Sequence, residues 1–398
     1  MKKEFSIVCI SVFLLVLGTC ISGTILVPYA KTLGGTGFII GVIYSSMYAV
    51  RLIIGTPVGE LSQKRGAKTI LLYSLILYTF IAAAYLISWN IPSLLVARLL
   101  HGVASAMMLP MAMAYVGELS PEGQEGRYMG IYNTILFVAS GVGPIIGGVI
   151  YESRESNGNI PVFLTLLGLS FVSLFILLFF GNFKKGNYTN PKADKQQEPV
   201  YSKLTDVLQS KPMLGLACLN IVSAVLLALF GATFTQYALD NQMNMGTIGV
   251  LIAVYNVVIG AIQIPLGRFC DRHNKIRLVM ISGVITALLV LFFPAFKGFW
   301  PIGILLVFLG ICTALHLSSI TALAAVVGKE AGMGVTMGFL GSVNSAGTII
   351  GYLLLGIITD AAGIQNTFLF TAVLFLVGNI IFLILWYLNM KNQLKEVA

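Results

Sequence analysis

Charge is scarce in this chain. Lysine, arginine, aspartate and glutamate make up 10% of its 398 residues, hydrophobic residues make up 57%, and the mean hydropathy is +0.92. A soluble domain of this size needs far more polar surface, so the solvent for most of the protein is lipid. Cysteine is sparse too. Cys9, Cys20, Cys218, Cys270 and Cys312 are odd in number and show no paired spacing. They read as small core hydrophobes, not as disulfides or metal ligands. No metal or nucleotide pattern and no nucleophile–base pair is visible, which sets an enzyme aside. The apolar runs also lack central carboxylates: Glu60, Glu118, Asp240 and Asp360 sit at or close to run ends.

What fills the chain is a series of long, continuous apolar runs. A membrane span needs about 20 residues, and closed backbone hydrogen bonding restricts spans to helices or barrels. The runs do not alternate, so helices are expected. Twelve are predicted, at roughly 5–28, 38–62, 68–88, 92–117, 127–151, 160–182, 212–239, 246–269, 276–296, 299–327, 334–359 and 365–390. Lys2 and Lys3 precede the first run, which resembles a signal peptide in outline. It is too long for one and a second run follows at once, so it reads as an uncleaved helix.

Basic residues set the expected orientation. With the N- and C-termini inside, every Lys and Arg is cytoplasmic except Lys31, Arg154 and Lys297 outside, and Arg51 and Arg98 within spans. The net charge of +9 is then a topology signal, and a nucleic-acid partner is not expected. One long polar connection divides the spans six and six. The expected domains are therefore an N-terminal six-helix bundle (1–182), a cytoplasmic linker (183–211) and a C-terminal six-helix bundle (212–398). Lys184 to Glu198 has the composition of a solvated linker. Val200, Leu204, Val207 and Leu208 recur at helical spacing, which suits a short amphipathic helix on the membrane surface or simply a helical linker end.

The second half replays the first. Pro57-Val58-Gly59-Glu60-Leu61-Ser62-Gln63-Lys64-Arg65-Gly66 recurs in altered form as Pro265-Leu266-Gly267-Arg268-Phe269-Cys270-Asp271-Arg272-His273-Asn274, 208 positions on. Gly143-Pro144-Ile145-Ile146-Gly147-Gly148 in the fifth span is echoed by Gly347-Thr348-Ile349-Ile350-Gly351-Tyr352 in the eleventh. Duplicated helical bundles in membranes are commonly transporters that hold substrate between repeats.

These residues resemble the major facilitator superfamily. Gly59 to Lys68 is similar to the family's loop between helices 2 and 3, matching at Gly59, Leu61, Gly66 and Lys68 and in the basic residues Lys64 and Arg65. Gln63 stands where the family has an acid, and the mirrored stretch keeps an acid at Asp271, beside Gly267 and Arg272. The resemblance implies that these residues gate the cytoplasmic side, with the Asp271 side the stronger. An anion at a helix N-terminus is stabilising, and Gln63 brings no charge; Glu60 could substitute. Arg98, followed by Gly102, resembles the helix-4 signature of proton-coupled members. The alternative is an Arg reaching to the outer interface. Gly143, Pro144, Gly147 and Gly148 resemble the helix-5 signature of the family's drug and metabolite antiporters, with Gly249, Asn256 and Gly260 as candidate receivers on helix 8.

The resemblance implies an all-α fold of twelve spans in two pseudo-symmetric six-helix bundles, working by alternating access. Arg98, His101, His316 and Glu60 are candidates for proton coupling, although a lone buried His is often structural. Arg51, near mid-span, is a candidate for binding an anionic group or pairing with Glu60. Tyr44, Tyr48, Met111, Tyr115 and Asn133 are candidate cavity residues from the first half. Asn220, Phe234, Tyr255, Asn256, Gln263 and Asn344 are candidates from the second. With basic residues and no central acid, the cavity suits a neutral or anionic amphiphile better than a cation. The expected function is export of a small organic compound by proton antiport; the alternatives are a metabolite symporter or uniporter and, less favoured, a non-transporting membrane sensor. A multi-pass monomer in the cytoplasmic membrane of a prokaryote is expected, without cofactor and powered by the proton gradient, with substrate and lipid bilayer as partners.

Overall fold

The computed structural model describes residues 3–121, 125–153, 158–181, 210–331 and 333–397. Twelve helices lie among them: α1 (Lys3–Thr32), α2 (Gly37–Arg65), α3 (Ala67–Leu86), α4 (Ile91–Leu119), α5 (Glu125–Glu152), α6 (Asn159–Phe180), α7 (Lys211–Asp240), α8 (Met245–Arg272), α9 (Lys275–Phe292), α10 (Phe299–Ala331), α11 (Met333–Ala362) and α12 (Ile364–Val397). Each contains a stretch long and apolar enough to cross a membrane by length and composition. α7 passes through one π turn, Leu229–Thr233. The expected linker, including the amphipathic run from Val200, lies outside the described residues.

Local chemistry sets the helix ends. Thr36 caps α2 by accepting from the Ile39 N–H, and Asn90 and Ser93 form a reciprocal capping box at the start of α4. Asn274 opens α9 by accepting from Ile276 and Arg277. The turn between α2 and α3 is a single residue, Gly66, at φ +83°. Only glycine takes that conformation without strain.

The stretch expected as a loop from Gly59 is therefore helical up to Arg65, and its repeat is helical to Arg272. The apolar window ends where lipid ends, but the helix hydrogen bonding continues into the polar residues beyond.

The chain packs as two compact units, residues 1–188 with 232–257, and residues 189–231 with 258–398. In chain order 232–257 belongs to the second half, yet it packs with the first six helices. In the first unit α1 is the central helix, buried along most of its length between α5 and α6, while α4 packs on α2 and α3. Its largest buried side chains include Tyr78, Tyr132, Phe5 and Phe163. In the second unit α7 takes the equivalent place against α11 and α12, and α9 packs on α10 and α12. Met213, Leu216, Leu219, Val279, Ile320, Leu323 and Phe382 form a core there. Large apolar side chains such as Phe80, Phe179, Phe308 and Ile384 are exposed, as a lipid-facing surface requires.

Candidate functional site

In the first unit, call the face where α1 begins the near face and the opposite one the far face. Among the described residues three polar systems occupy this unit, one inside it and one at each face.

The internal system is built on α2, α3 and α4. Gly102 lets α4 approach α2 so closely that an added Cβ would lie 2.8 Å from the Met47 carbonyl oxygen. One turn earlier Arg98 is buried, its Nε donating to the Ile43 carbonyl at 3.2 Å. Its guanidinium lies 5.1 Å from the centre of the Tyr44 ring, a cation–π arrangement. It also bonds with the Tyr85 side chain. The Tyr85 hydroxyl lies 3.0 Å from Nδ1 of His101, whose ring meets Tyr78 edge-on at 5.2 Å. The Tyr44 hydroxyl donates to the Gly23 carbonyl of α1. Arg98 does not reach to an interface; it is held inside the bundle by two aromatic side chains and a backbone carbonyl. Arg51, on the same helix as Tyr44, is half-buried.

At the near face, Lys68 is buried and its Nζ lies 2.6 Å from Glu4 Oε1. The Tyr115 hydroxyl donates to the same carboxylate oxygen, and the ammonium lies 5.4 Å from the Tyr115 ring centre. This ties the starts of α1 and α3 to the end of α4.

At the far face, glycines on α5 set two contacts. Gly143 and Gly147 face α1; a Cβ on Gly147 would lie 2.5 Å from the Ile21 carbonyl oxygen. Gly141 and Gly148 face α8, against Val257 and Met245, and Gly249 of α8 sits on the Pro144 backbone. Gly249 is thus the glycine of α8 that receives α5 at Pro144. Beside this contact Lys31 pairs with Asp240 at 3.1 Å, and Glu152 accepts from the Gly246 N–H at 2.8 Å.

In the second unit His316 is buried, with Nδ1 3.3 Å from both Ser282 Oγ and the Val279 carbonyl and its ring 5.0 Å from that of Phe375. Its Nε2 has no hydrogen-bond partner among the described residues. Asn220 donates to its own helix at Leu216, Asn344 is half-buried, and Asn133 is exposed. Met111, Phe234 and Tyr255 are buried, while Tyr48, Asn256 and Gln263 are half-buried. Arg65 and Arg272 are exposed, and a Cβ at Gly267 would meet open space. The side chains of Glu60, Gln63 and Asp271 lie outside the described ones, as do any contacts they make.

Of the residues expected to couple protons, the structure gathers Arg98 and His101 in one cluster, and His316 belongs to the second unit. Tyr115, expected in a cavity, is engaged with Glu4 and Lys68. Sequence reasoning missed Glu4, Tyr78, Tyr85 and Glu152. An acid directly after Lys2 and Lys3 was the available signal for Glu4; a tyrosine within an apolar run gives none. Among the described residues no group of three or more His, Cys, Asp or Glu could hold a metal ion.

The comparisons with known proteins agree with this architecture. The chain is 25% identical to an uncharacterised MFS-type transporter of Methanocaldococcus jannaschii, over 96% of this chain and 97% of that one. It is 24% identical to the quinolone resistance protein NorA of Staphylococcus aureus, over 90% and 91%. The fold is similar to that of a bacterial homologue of the human lysosomal transporter Spinster, solved inward-facing and unoccupied, with a TM-score of 0.82, 13% identity and 97% of both chains covered. Such a chain is a multi-pass protein of the cell membrane and a transporter, not an enzyme. With the family model matching residues 8–239 and again 216–397, the chain belongs to the Major Facilitator Superfamily.

Proposed function

We propose that the protein exports a small amphipathic organic compound, neutral or anionic, in exchange for protons. The observation that carries this reading is the seating of α5 on α8 through Gly141, Pro144, Gly148 and Gly249. A helix that meets its neighbour backbone to backbone can seal one side of a transporter without large side chains, and can part without repacking a core. The similarity to NorA supports a drug-like substrate. Buried Arg98 and half-buried Arg51, with no acid in the middle of any span, support an anionic or neutral one. Arg98, linked through Tyr85 to His101, is the proposed element that responds to protonation, with His316 and Glu60 as further candidates. We place the termini and the near face in the cytoplasm, following the basic loops. The protein acts as a monomer, driven by the proton gradient alone.

Inside-out vesicles with an acid interior test this directly. A fluorescent quinolone should accumulate inside while a pH dye reports proton release, and collapsing the gradient with nigericin should abolish both. Accumulation that ignores nigericin overturns antiport. Quinolone loss driven by the same gradient favours the uptake alternative.

A further inference from the structure

The carboxylate of Glu152, the last residue of α5, is fitted to the N-terminus of α8. Its Oε1 accepts from the Gly246 N–H at 2.8 Å. A Cβ built on Gly246 would lie 2.9 Å from its Oε2, so the absence of a side chain there is what lets both oxygens approach. The next N–H, of Thr247, is capped at 2.8 Å by the side chain of Asn244. Between them, Glu152 and Asn244 satisfy the second and third N–H groups of α8, and the anion faces the positive end of the helix dipole. The same face carries one more tether, Lys31 to Asp240, in which the acid ends α7 where the dipole disfavours it.

We propose that Glu152 is a proton-releasable latch on the external side: charged, it holds the start of α8 against α5, and neutralised, it lets the two part. This rests on the external placing of the far face and on proton antiport, both proposed above. It supplies what that reading lacked, a carboxylate exposed to entering protons and mechanically joined to a contact that must open. In the major facilitator pattern described above, an anion on a helix N-terminus belongs to the cytoplasmic side, where this chain has Gln63. Here the equivalent device sits at the opposite face. The titratable and charged groups at this end are few. α8 brings none in its first turn, α6 begins without any, and α4 has none before Arg98. α1 brings Lys31, paired with Asp240 of α7, and α5 itself brings Tyr151. Arg154 and Glu155 follow in residues outside the described ones.

Spin labels on Ser153→Cys and Met243→Cys, in the full chain with its native cysteines replaced by alanine and held in nanodiscs, read the α5–α8 separation by pulsed dipolar spectroscopy. The background carries Asp240→Asn, so that the second tether does not respond to acid. A dipole–anion contact of this kind should bias the packed form about two- to fivefold. Glu152→Gln should raise the separated population by that factor at neutral pH, and acidification should do the same to Glu152 but not to Gln. Glu152→Asp, with the charge kept and the arm shortened, should fall between them. Gly246→Ala, with the charge intact but the seat filled, should resemble Gln. Identical distance distributions for Glu152 and Glu152→Gln at neutral pH, or no response of Glu152 to acid, overturn the latch. No substrate or gradient is present, so a vesicle experiment that refutes antiport leaves this result standing, and the reverse.

Discussion

Gly147 and Gly148 are neighbours on α5, and replacing each in turn with alanine separates a contact that holds a bundle together from one that must open. At Gly147 the new Cβ would lie 2.5 Å from the Ile21 carbonyl oxygen and 3.2 Å from its carbonyl carbon. Neither partner is a side chain that can turn aside. α1 is the central helix of its unit, so restoring ordinary contact requires the two helices to move apart by about 1 Å within a close-packed core. Overpacking of that kind costs about 1–3 kcal/mol. For a unit of this size the expected loss of Tm is about 2–10 °C. At Gly148 the new Cβ would overlap the Met245 carbonyl and lie 2.9 Å from the Gly246 Cα. The same cost there falls on the α5–α8 contact alone. If α5 and α8 part during transport, the cost drops out of the separated form. It then shifts the balance of forms by about 5- to 150-fold while leaving Tm near wild type. Thermal unfolding in detergent gives the first quantity, and the labelled pair at 153 and 243 gives the second. Equal losses of Tm from the two variants, with no change in the α5–α8 distance for Gly148→Ala, refute the distinction.

Three further outcomes are expected. Glu4→Gln removes the carboxylate that meets the buried Lys68 ammonium and should cost about 2–4 kcal/mol; adding Lys68→Met should recover most of it, and a double variant as unstable as the single one excludes the charge as the cause. Tyr85→Phe removes the partner of both His101 Nδ1 and Arg98 and should cost about 1–3 kcal/mol in thermal unfolding, while Tyr73→Phe, at an exposed position, should cost nothing measurable. Arg51→Ala should weaken binding of an anionic substrate about tenfold or more, with little change for a neutral one, as measured by fluorescence titration; equal loss for both makes Arg51 structural.

Much of the fold was legible because lipid leaves a coarse mark on a sequence. The twelve runs and the repeat between Pro57 and Pro265 follow from hydropathy and echo alone. The ends of α2 and α8 were not legible, because hydropathy marks the edge of the bilayer while the helix continues through Gln63 to Arg65 and through Asp271 to Arg272. The packing of 232–257 with the first unit was legible only in part: the family resemblance offered Gly249 among three receivers of α5, while the contact of Met245 with Gly148 carried no signal. It depends on Gly148 seating on the Met245 backbone and Gly249 on the Pro144 backbone, and hydropathy carries no mark of which residues two distant helices place in register. In the site, Arg98 and His101 stood out because polar groups within apolar runs are costly. Tyr85 and Tyr78 did not, since a tyrosine there reads as core. Glu4 and Tyr115 are 111 residues apart and become partners only once α1 and α4 are packed.

The strengths of the polar contacts in the first unit divide it into a part that stays and a part that can move. Inside, Arg98 is bound by a carbonyl, by Tyr85 and by the Tyr44 ring, all shielded from water, and at the near face Lys68 is buried on Glu4. Interactions shielded in this way are costly to break, because each leaves a charge without compensation. At the far face Lys31 and Asp240 keep about a third and a half of their exposure, and Glu152 is exposed. Exposed pairs are worth about 0–1 kcal/mol and are replaced by water as they open. The α5–α8 backbone contacts beneath Glu152 are made by Gly148 and Gly249, which leave no side chains to unthread. A motion that costs little must therefore run through the α5–α8 and α1–α7 contacts, with α1 to α4 moving as one body. The sharpest test is a ranking of labelled distances. Pairs spanning α2–α4 or α1–α3 should hold one distance under every condition that splits the α5–α8 distribution in two, and a split between α2 and α4 would show that Arg98 is a moving part.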